Sequence, residues 1–246
     1  MTLTASHLTV RLGGVNVVSD ITATFEPGTI TAICGPNGAG KSTMLATLAG
    51  LLNPASGEVT IDGKALGTLS PRDRAKLVGY LPQLGEVAWD LSVANLVALG
   101  RLPYRDRGEE AVAEALAAMD LTELAERPVS SLSGGERARA LLARVLAGEP
   151  RWVLTDEPFA ALDLGHQIAL LARLRAIANM GVGIVIVVHD LGLAMNGADR
   201  VLVFDRGRLA ADGAPEQALR EEVIANVWKV HARWLGNPGE RALLAG

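Results

Sequence analysis

Cysteine, aromatic residues and long apolar runs are all scarce in this chain of 246 residues. With one cysteine, Cys34, an intramolecular disulfide is excluded. Its apolar, strand-like neighbours point to a small buried hydrophobe and not to a reactive thiol. No run approaches the roughly 18 apolar residues that a membrane span needs. The stretch "GIVIVV" (183–188) suits only a buried strand. The opening "MTLTASHLTV" has neither a basic region nor an apolar core, so no signal peptide is expected there. A basic excess is missing too. The net charge is −4, which gives no electrostatic case for nucleic-acid binding. Arg137, Arg139 and Arg144 read as the solvated face of a helix. No Cys/His cluster has metal-ligand spacing, and His7, His166 and His231 stand in no telling context.

Aliphatic residues are plentiful. Half the chain is apolar while aromatics make up 4%, so a sizeable core is expected and it must be aliphatic. From His7 to Cys34, β-branched residues alternate with Gly and Pro turns, the pattern of an antiparallel layer leading into a core strand at 29–34. "SGEVTIDGKAL" (56–66) and "KLVGYLPQ" (76–83) add strands. Between about Leu84 and Gly148, Ala, Leu and Glu dominate and β-branched runs disappear, which predicts a helical subdomain. Strands return at 151–158, 182–190 and 200–213, with a helix near 165–179 between the first two. Apolar strands alternating with helices imply an α/β fold with a mostly parallel sheet. The tail after Pro215 reads as helical.

Two segments have the chemistry of anion sites. "GPNGAGKST" (35–43) is a complete G-x-x-x-x-G-K-[ST] pattern placed between an apolar strand and a helix. Asn37, Gly38, Ala39, Gly40, Lys41, Ser42 and Thr43 form a phosphate cradle: backbone N–H groups turn inward, Lys41 reaches the β- and γ-phosphates, and Ser42 offers a hydroxyl to Mg²⁺. "WVLTDEP" (152–158) supplies the matching carboxylates at a strand end. Asp156 is expected to hold the metal through water, and Glu157 to polarise the attacking water as a general base. Thr155 takes a strand position where an aliphatic is more usual, at little expected cost. His189 ends the next strand, within reach of a γ-phosphate. The second anion site is Ser133-Gly134-Gly135-Glu136, a capping-box pattern that opens a helix with Ala138, Leu141, Leu142, Val145 and Leu146 on one face.

Taken together, these pieces resemble the nucleotide-binding subunit of ATP-binding cassette (ABC) transporters, over nearly the whole chain. In order they are the Walker A loop at 35–43, Gln83 of the Q-loop, the signature Leu132–Glu136, Walker B at 152–157, Asp163 of the D-loop and the switch His189. The resemblance implies the ABC ATPase version of the P-loop NTPase fold as a single domain over 1–246. Its core would comprise 1–83 and 149–215, its helical subdomain 84–148 and its helical tail 216–246. It implies ATP and Mg²⁺ as ligands and a head-to-tail homodimer. Each ATP would lie between one chain's P-loop and the other chain's Ser133, Gly134 and Gly135, so that two anion sites in one chain serve two different nucleotides. Gln83 would sense Mg²⁺ and the attacking water, and Asp163 would lie at the dimer seam.

Two positions depart from the usual family pattern. The signature ends in Glu136 instead of Gln, and Leu12 stands where an adenine-stacking aromatic is usual. Weaker base discrimination is therefore expected. "VALGRLPY" (97–104) resembles the importer branch that handles iron–siderophore complexes, haem and cobalamin. That branch implies peripheral attachment to the cytoplasmic face of the inner (cell) membrane. It also implies membrane permease partners, a substrate-binding protein acting indirectly, and no nucleic acid. An exporter ATPase and a non-transport ABC ATPase acting on nucleic acid or ribosomes are the alternatives.

Overall fold

The structure, a computed structural model, describes residues 2–83, 91–160 and 162–246. Strands β1 (Leu3–Leu12) and β2 (Val15–Phe25) form a hairpin that turns at Gly13 and Gly14. β3 (Ile30–Cys34) runs into α1 (Lys41–Leu48). β4 (Ser56–Ile61) and β5 (Lys64–Ala65) pair antiparallel, and α2 (Pro71–Leu77) passes directly into β6 (Val78–Leu81). Three helices follow: α3 (Val93–Ala98), α4 (Glu109–Ala118) and α5 (Gly134–Leu146). The chain then alternates through β7 (Trp152–Asp156), α6 (Leu164–Asn179), β8 (Gly183–Val187), α7 (Leu191–Gly197) and β9 (Arg200–Asp205) to β10 (Arg208–Gly213). It closes with α8 (Pro215–Ala218), α9 (Glu221–Trp228) and the hairpin β11 (Ala232–Leu235) and β12 (Ala242–Ala245).

The principal sheet has the order β10-β9-β3-β8-β7-β6. β9, β3, β8, β7 and β6 are parallel, and β10 is an antiparallel edge. Every residue of β3, β7 and β8 is buried, as continuous apolar runs in a sheet covered on both faces require. A second, antiparallel sheet has the order β2-β1-β4-β5. One core lies between it, α1 and the principal sheet and includes Phe25, Leu45, Trp152 and Phe204. The other joins the opposite face of the sheet to the remaining helices through Leu142, Leu174, Ile184 and Val201. The α/β class is as the sequence implies.

Two expectations need correction. The tail is not helical throughout, because α9 stops at Lys229 in the left-handed region (φ 60°) and a hairpin follows. Gly236 and Gly239, at φ 96° and 85°, make the turn between its strands with Pro238 between them. The buried face of α5 is also wider than its spacing suggests. Ala140 and Ala143 are fully buried, whereas Ala138 and Leu146 are half-buried, because this helix packs against both α3 and β6. Arg144 on the same helix is half-buried, and burial holds its pKa below the usual value. Residues 84–90, the start of the subdomain expected over 84–148, lie outside the described residues.

Candidate functional site

The carboxyl ends of four neighbouring parallel strands carry the site, the position where sheets of this kind bind ligands. β3 feeds the loop 35–40, β6 leads to Gln83, β7 ends in Asp156, and β8 leads to His189. The loop is pinned between two strands. A Cβ on Gly35 would lie 2.3 Å from the Phe204 carbonyl oxygen, and one on Gly40 would lie 2.5 Å from that of Val17. Gly40, at φ 98°, is also the N-cap of α1, and no side chain caps the helix there. The first-turn N–H groups therefore face the cavity unclaimed by a cap, as an anion site requires.

Lys41 is buried, and its Nζ donates to the carbonyls of Gly35 at 2.8 Å and Pro36 at 3.0 Å. Burial pulls its pKa below the ordinary lysine value, while the Glu157 carboxylate opposes that shift. The cavity holds about 540 Å³ and is lined by Val17, residues 37–43, Gln83, Glu157 and His189. A larger hollow of about 760 Å³ lies between α9 and the terminal hairpin and contains none of these groups.

Asp156, the last residue of β7, is buried. Desolvation raises its pKa, and a hydrogen bond with the Ser42 side chain opposes the rise. Its Oδ1 is buried without a hydrogen-bond partner. An orphaned carboxylate oxygen beside a serine hydroxyl fits the hard oxygen donors that a magnesium ion takes. Buried polar atoms are otherwise almost always satisfied.

Glu157 sits in the left-handed region at φ 52°, uncommon for a non-glycine residue and frequent at functional sites. Its N–H donates to the Val187 carbonyl at 3.1 Å, which fixes the turn out of β7. Gln83 Nε2 donates to Glu157 Oε2 at 2.6 Å, and His189 Nε2 hydrogen-bonds Glu157 Oε1. The carboxylate accepts both bonds, so His189 carries a hydrogen on Nε2. Each Glu157 oxygen keeps a further lone pair with which to bind a water.

The remaining expected residues do not line this cavity. Ser133 caps α5 with the full capping box: its N–H donates to Glu136 Oε2 at 2.8 Å, and the Glu136 N–H donates to Ser133 Oγ at 3.3 Å. The bond from the Ser133 N–H holds the Glu136 carboxyl below its usual pKa. Ser133 and Gly134 are exposed, so the start of α5 is open to solvent within one chain, and its capping box leaves the N–H groups of Gly134 and Gly135 unclaimed by the cap. Asp163 caps α6 and is exposed. Leu12 ends β1, 44% exposed, outside the cavity. Sequence reasoning missed Val17, which lines the cavity, and His166, whose ring lies against Gly135. The spacing of three residues from Asp163 signals only the cap of α6, not the contact with Gly135.

Comparison with known proteins follows the same lines. The family model described as ABC transporter matches residues 18–160. The hemin import ATP-binding protein HmuV of Nocardia farcinica is 44% identical over 248 residues, covering 97% of this chain and 86% of that protein. A metal-chelate type ABC transporter in an inward-facing conformation superposes with a TM-score of 0.85 at 25% identity, over 100% of this chain and 96% of that one. A dimeric ATP-binding cassette in a post-hydrolysis state, bound to ADP and Pi, gives 0.75 at 25% identity, over 87% and 98%.

Proposed function

This chain belongs to the ABC transporter family and is a transporter ATPase, and we propose that it is the motor of an importer for hemin. The observation that carries the reading is the separation of two anion-binding helix ends. One lies in the cavity beside Glu157, and the other, at Ser133, is exposed outside it. Two copies packed head to tail would complete two sites, each with ATP between one chain's Lys41 and the other's Ser133, Gly134 and Gly135. The dimeric cassette among the structural relatives supports this arrangement. The relative named for hemin import favours this cargo class and import over export, and the metal-chelate transporter is consistent with the cargo class.

In this mechanism Lys41 leaves the Gly35 and Pro36 carbonyls for the β- and γ-phosphates. Glu157 accepts a proton from a water whose oxygen attacks the γ-phosphorus. The bond to the bridging oxygen breaks, releasing ADP and inorganic phosphate. His189 and Gln83 hold the carboxylate in line, and Asp163 lies near the seam between copies. Ser42 and Asp156, with Gln83 nearby, would hold Mg²⁺, which supplies neutralisation of phosphate charge. Loss of the γ-phosphate removes the bridge between copies, and they separate.

Helices α3, α4 and α5, within the subdomain expected over 84–148, would carry that motion from the core (1–83 and 149–215) to membrane permease subunits. The motor would thus be held at the cytoplasmic face of the cell membrane, with a substrate-binding protein delivering cargo. No helix among the described residues is long and apolar enough to cross a membrane. The test is purification of tagged Glu157→Gln protein from detergent-solubilised native cells, with partners identified by mass spectrometry. A many-span permease with a hemin-type binding protein is expected. Ribosomal or DNA-repair partners without a permease would overturn the reading.

A further inference from the structure

The first turn of α6 joins two parts of the molecule that are distant in sequence. Asp163 Oδ1 accepts from the His166 N–H at 2.9 Å and lies 2.8 Å from His166 Nδ1. These bonds hold the Asp163 carboxyl below its usual pKa. An ionised carboxylate only accepts, so Nδ1 carries the hydrogen. The far edge of the same ring faces α5. A Cβ on Gly135 would lie 2.8 Å from His166 Cδ2 and 3.2 Å from Nε2, so a side chain there would push against the imidazole. The next residue faces the other way. Gln167 Nε2 donates to the Leu162 carbonyl at 3.2 Å and the Phe159 carbonyl at 3.4 Å. The segment that follows Glu157 is thereby tied to α6, and α6 meets the signature turn through His166.

We propose that His166 is a positioning residue that couples Asp163, and with it Phe159 and Leu162, to the signature turn Ser133–Gly135. The inference rests on the two-chain site proposed above. His166 is not among the residues that line the cavity of its own chain. It braces the turn whose N–H groups this chain offers to the nucleotide of a second copy. A state of one chain's hydrolytic loop is thus transmitted to the other chain's ATP. Phosphate contacts lose strength steeply when their donors shift, so a small displacement of this turn weakens closure and leaves nucleotide binding to the open chain alone.

The test uses the full-length Glu157→Gln protein with ATP and magnesium. It reads the affinity of the monomer for a fluorescent ATP analogue and the ATP concentration giving half-maximal dimer by light scattering. His166→Asn keeps a donor for Asp163, and with it the helix cap, but lacks the ring edge that meets Gly135. It is expected to melt like its parent, bind the analogue within about twofold, and need about tenfold more ATP to dimerise. His166→Ala is expected to shift dimerisation at least as far. A His166→Asn protein that dimerises like its parent overturns the inference alone. An equal loss of monomer affinity also overturns it, because the residue would then be holding the fold in general. A Glu157→Gln parent that stays monomeric at saturating ATP overturns the two-chain reading and this inference with it.

Discussion

His189 is bound to Glu157: imidazole Nε2 and carboxylate Oε1 form a hydrogen bond, while Gln83 donates to the other oxygen at 2.6 Å. One carboxylate is thus gripped from two loops that leave different strands of the sheet. A group held in this way acts by position as much as by basicity.

Removal of the base should therefore cost more than removal of either holder. Glu157→Gln is expected to lower kcat by about 10²–10⁴-fold while ATP still binds. His189→Ala and Gln83→Ala are expected to lower it by less, because the carboxylate remains. Phosphate release at saturating ATP measures all three. A His189→Ala protein with the parent's rate would remove His189 from the mechanism.

Lys41 and Ser133 should fail in different ways. Lys41→Ala is expected to lose nucleotide affinity, since it removes the cation beside the cradle. Ser133→Arg is expected to keep affinity and stop hydrolysis, since it blocks the surface offered to the other copy. Mixed together, the two variants contain one chain with an intact cradle and another with an intact signature turn. The mixture should regain part of the ATPase rate that each lacks alone. Titration of nucleotide and a mixing assay decide the point, and a mixture as inactive as its components would contradict the shared site.

Leu12 sets an expectation for base choice. Aromatic stacking on a base contributes roughly 1–3 kcal/mol in nucleic-acid complexes, and a leucine at the strand end offers none of it. GTP is expected to bind within about a hundredfold of ATP. Leu12→Tyr should tighten ATP by about fivefold or more if the position reaches the base. Competition titration against a fluorescent nucleotide reads both. A GTP penalty above about a hundredfold would rule the expectation out.

Cys34 should be inert in the folded chain. Burial pushes its thiol up to about 12 from an ordinary value of 9.0. The native protein should resist a thiol reagent at pH 8 and react only on unfolding. A raised pKa in the folded state means a stabilising contribution that is whole below pH 9.0 and is lost as pH rises toward 12. Stability should accordingly fall through that window, and Cys34→Ala should flatten the fall. Urea unfolding across pH measures it; a Cys34→Ala protein with the parent's alkaline profile would contradict the assignment.

Much of the site was legible because its chemistry is written in short, contiguous segments. The loop 35–43 needs glycines where φ is positive, and Gly38 and Gly40 take such angles. Ser133 and Glu136, three residues apart, form the capping box that their types require. Contacts between distant segments were not legible. Nothing local marks His166 as the neighbour of Gly135, or Val17 as a wall of the phosphate cavity. Thr155 shows the same gap. It reads as a good strand residue at little cost, yet its hydroxyl is buried without a partner, a burden that local pattern does not reveal. The terminal hairpin escaped because α9 carries a strong helical pattern and the strands after it are only four residues each. Periodicity has little to work with over so short a span.

The most direct measurement of the central claim is hemin-dependent uptake in cells whose own copy has been deleted and replaced by either the parent chain or Glu157→Gln, at matched protein levels. The account predicts that the parent restores uptake and that Glu157→Gln, which binds ATP without turning it over, does not. Uptake restored equally by both would contradict it.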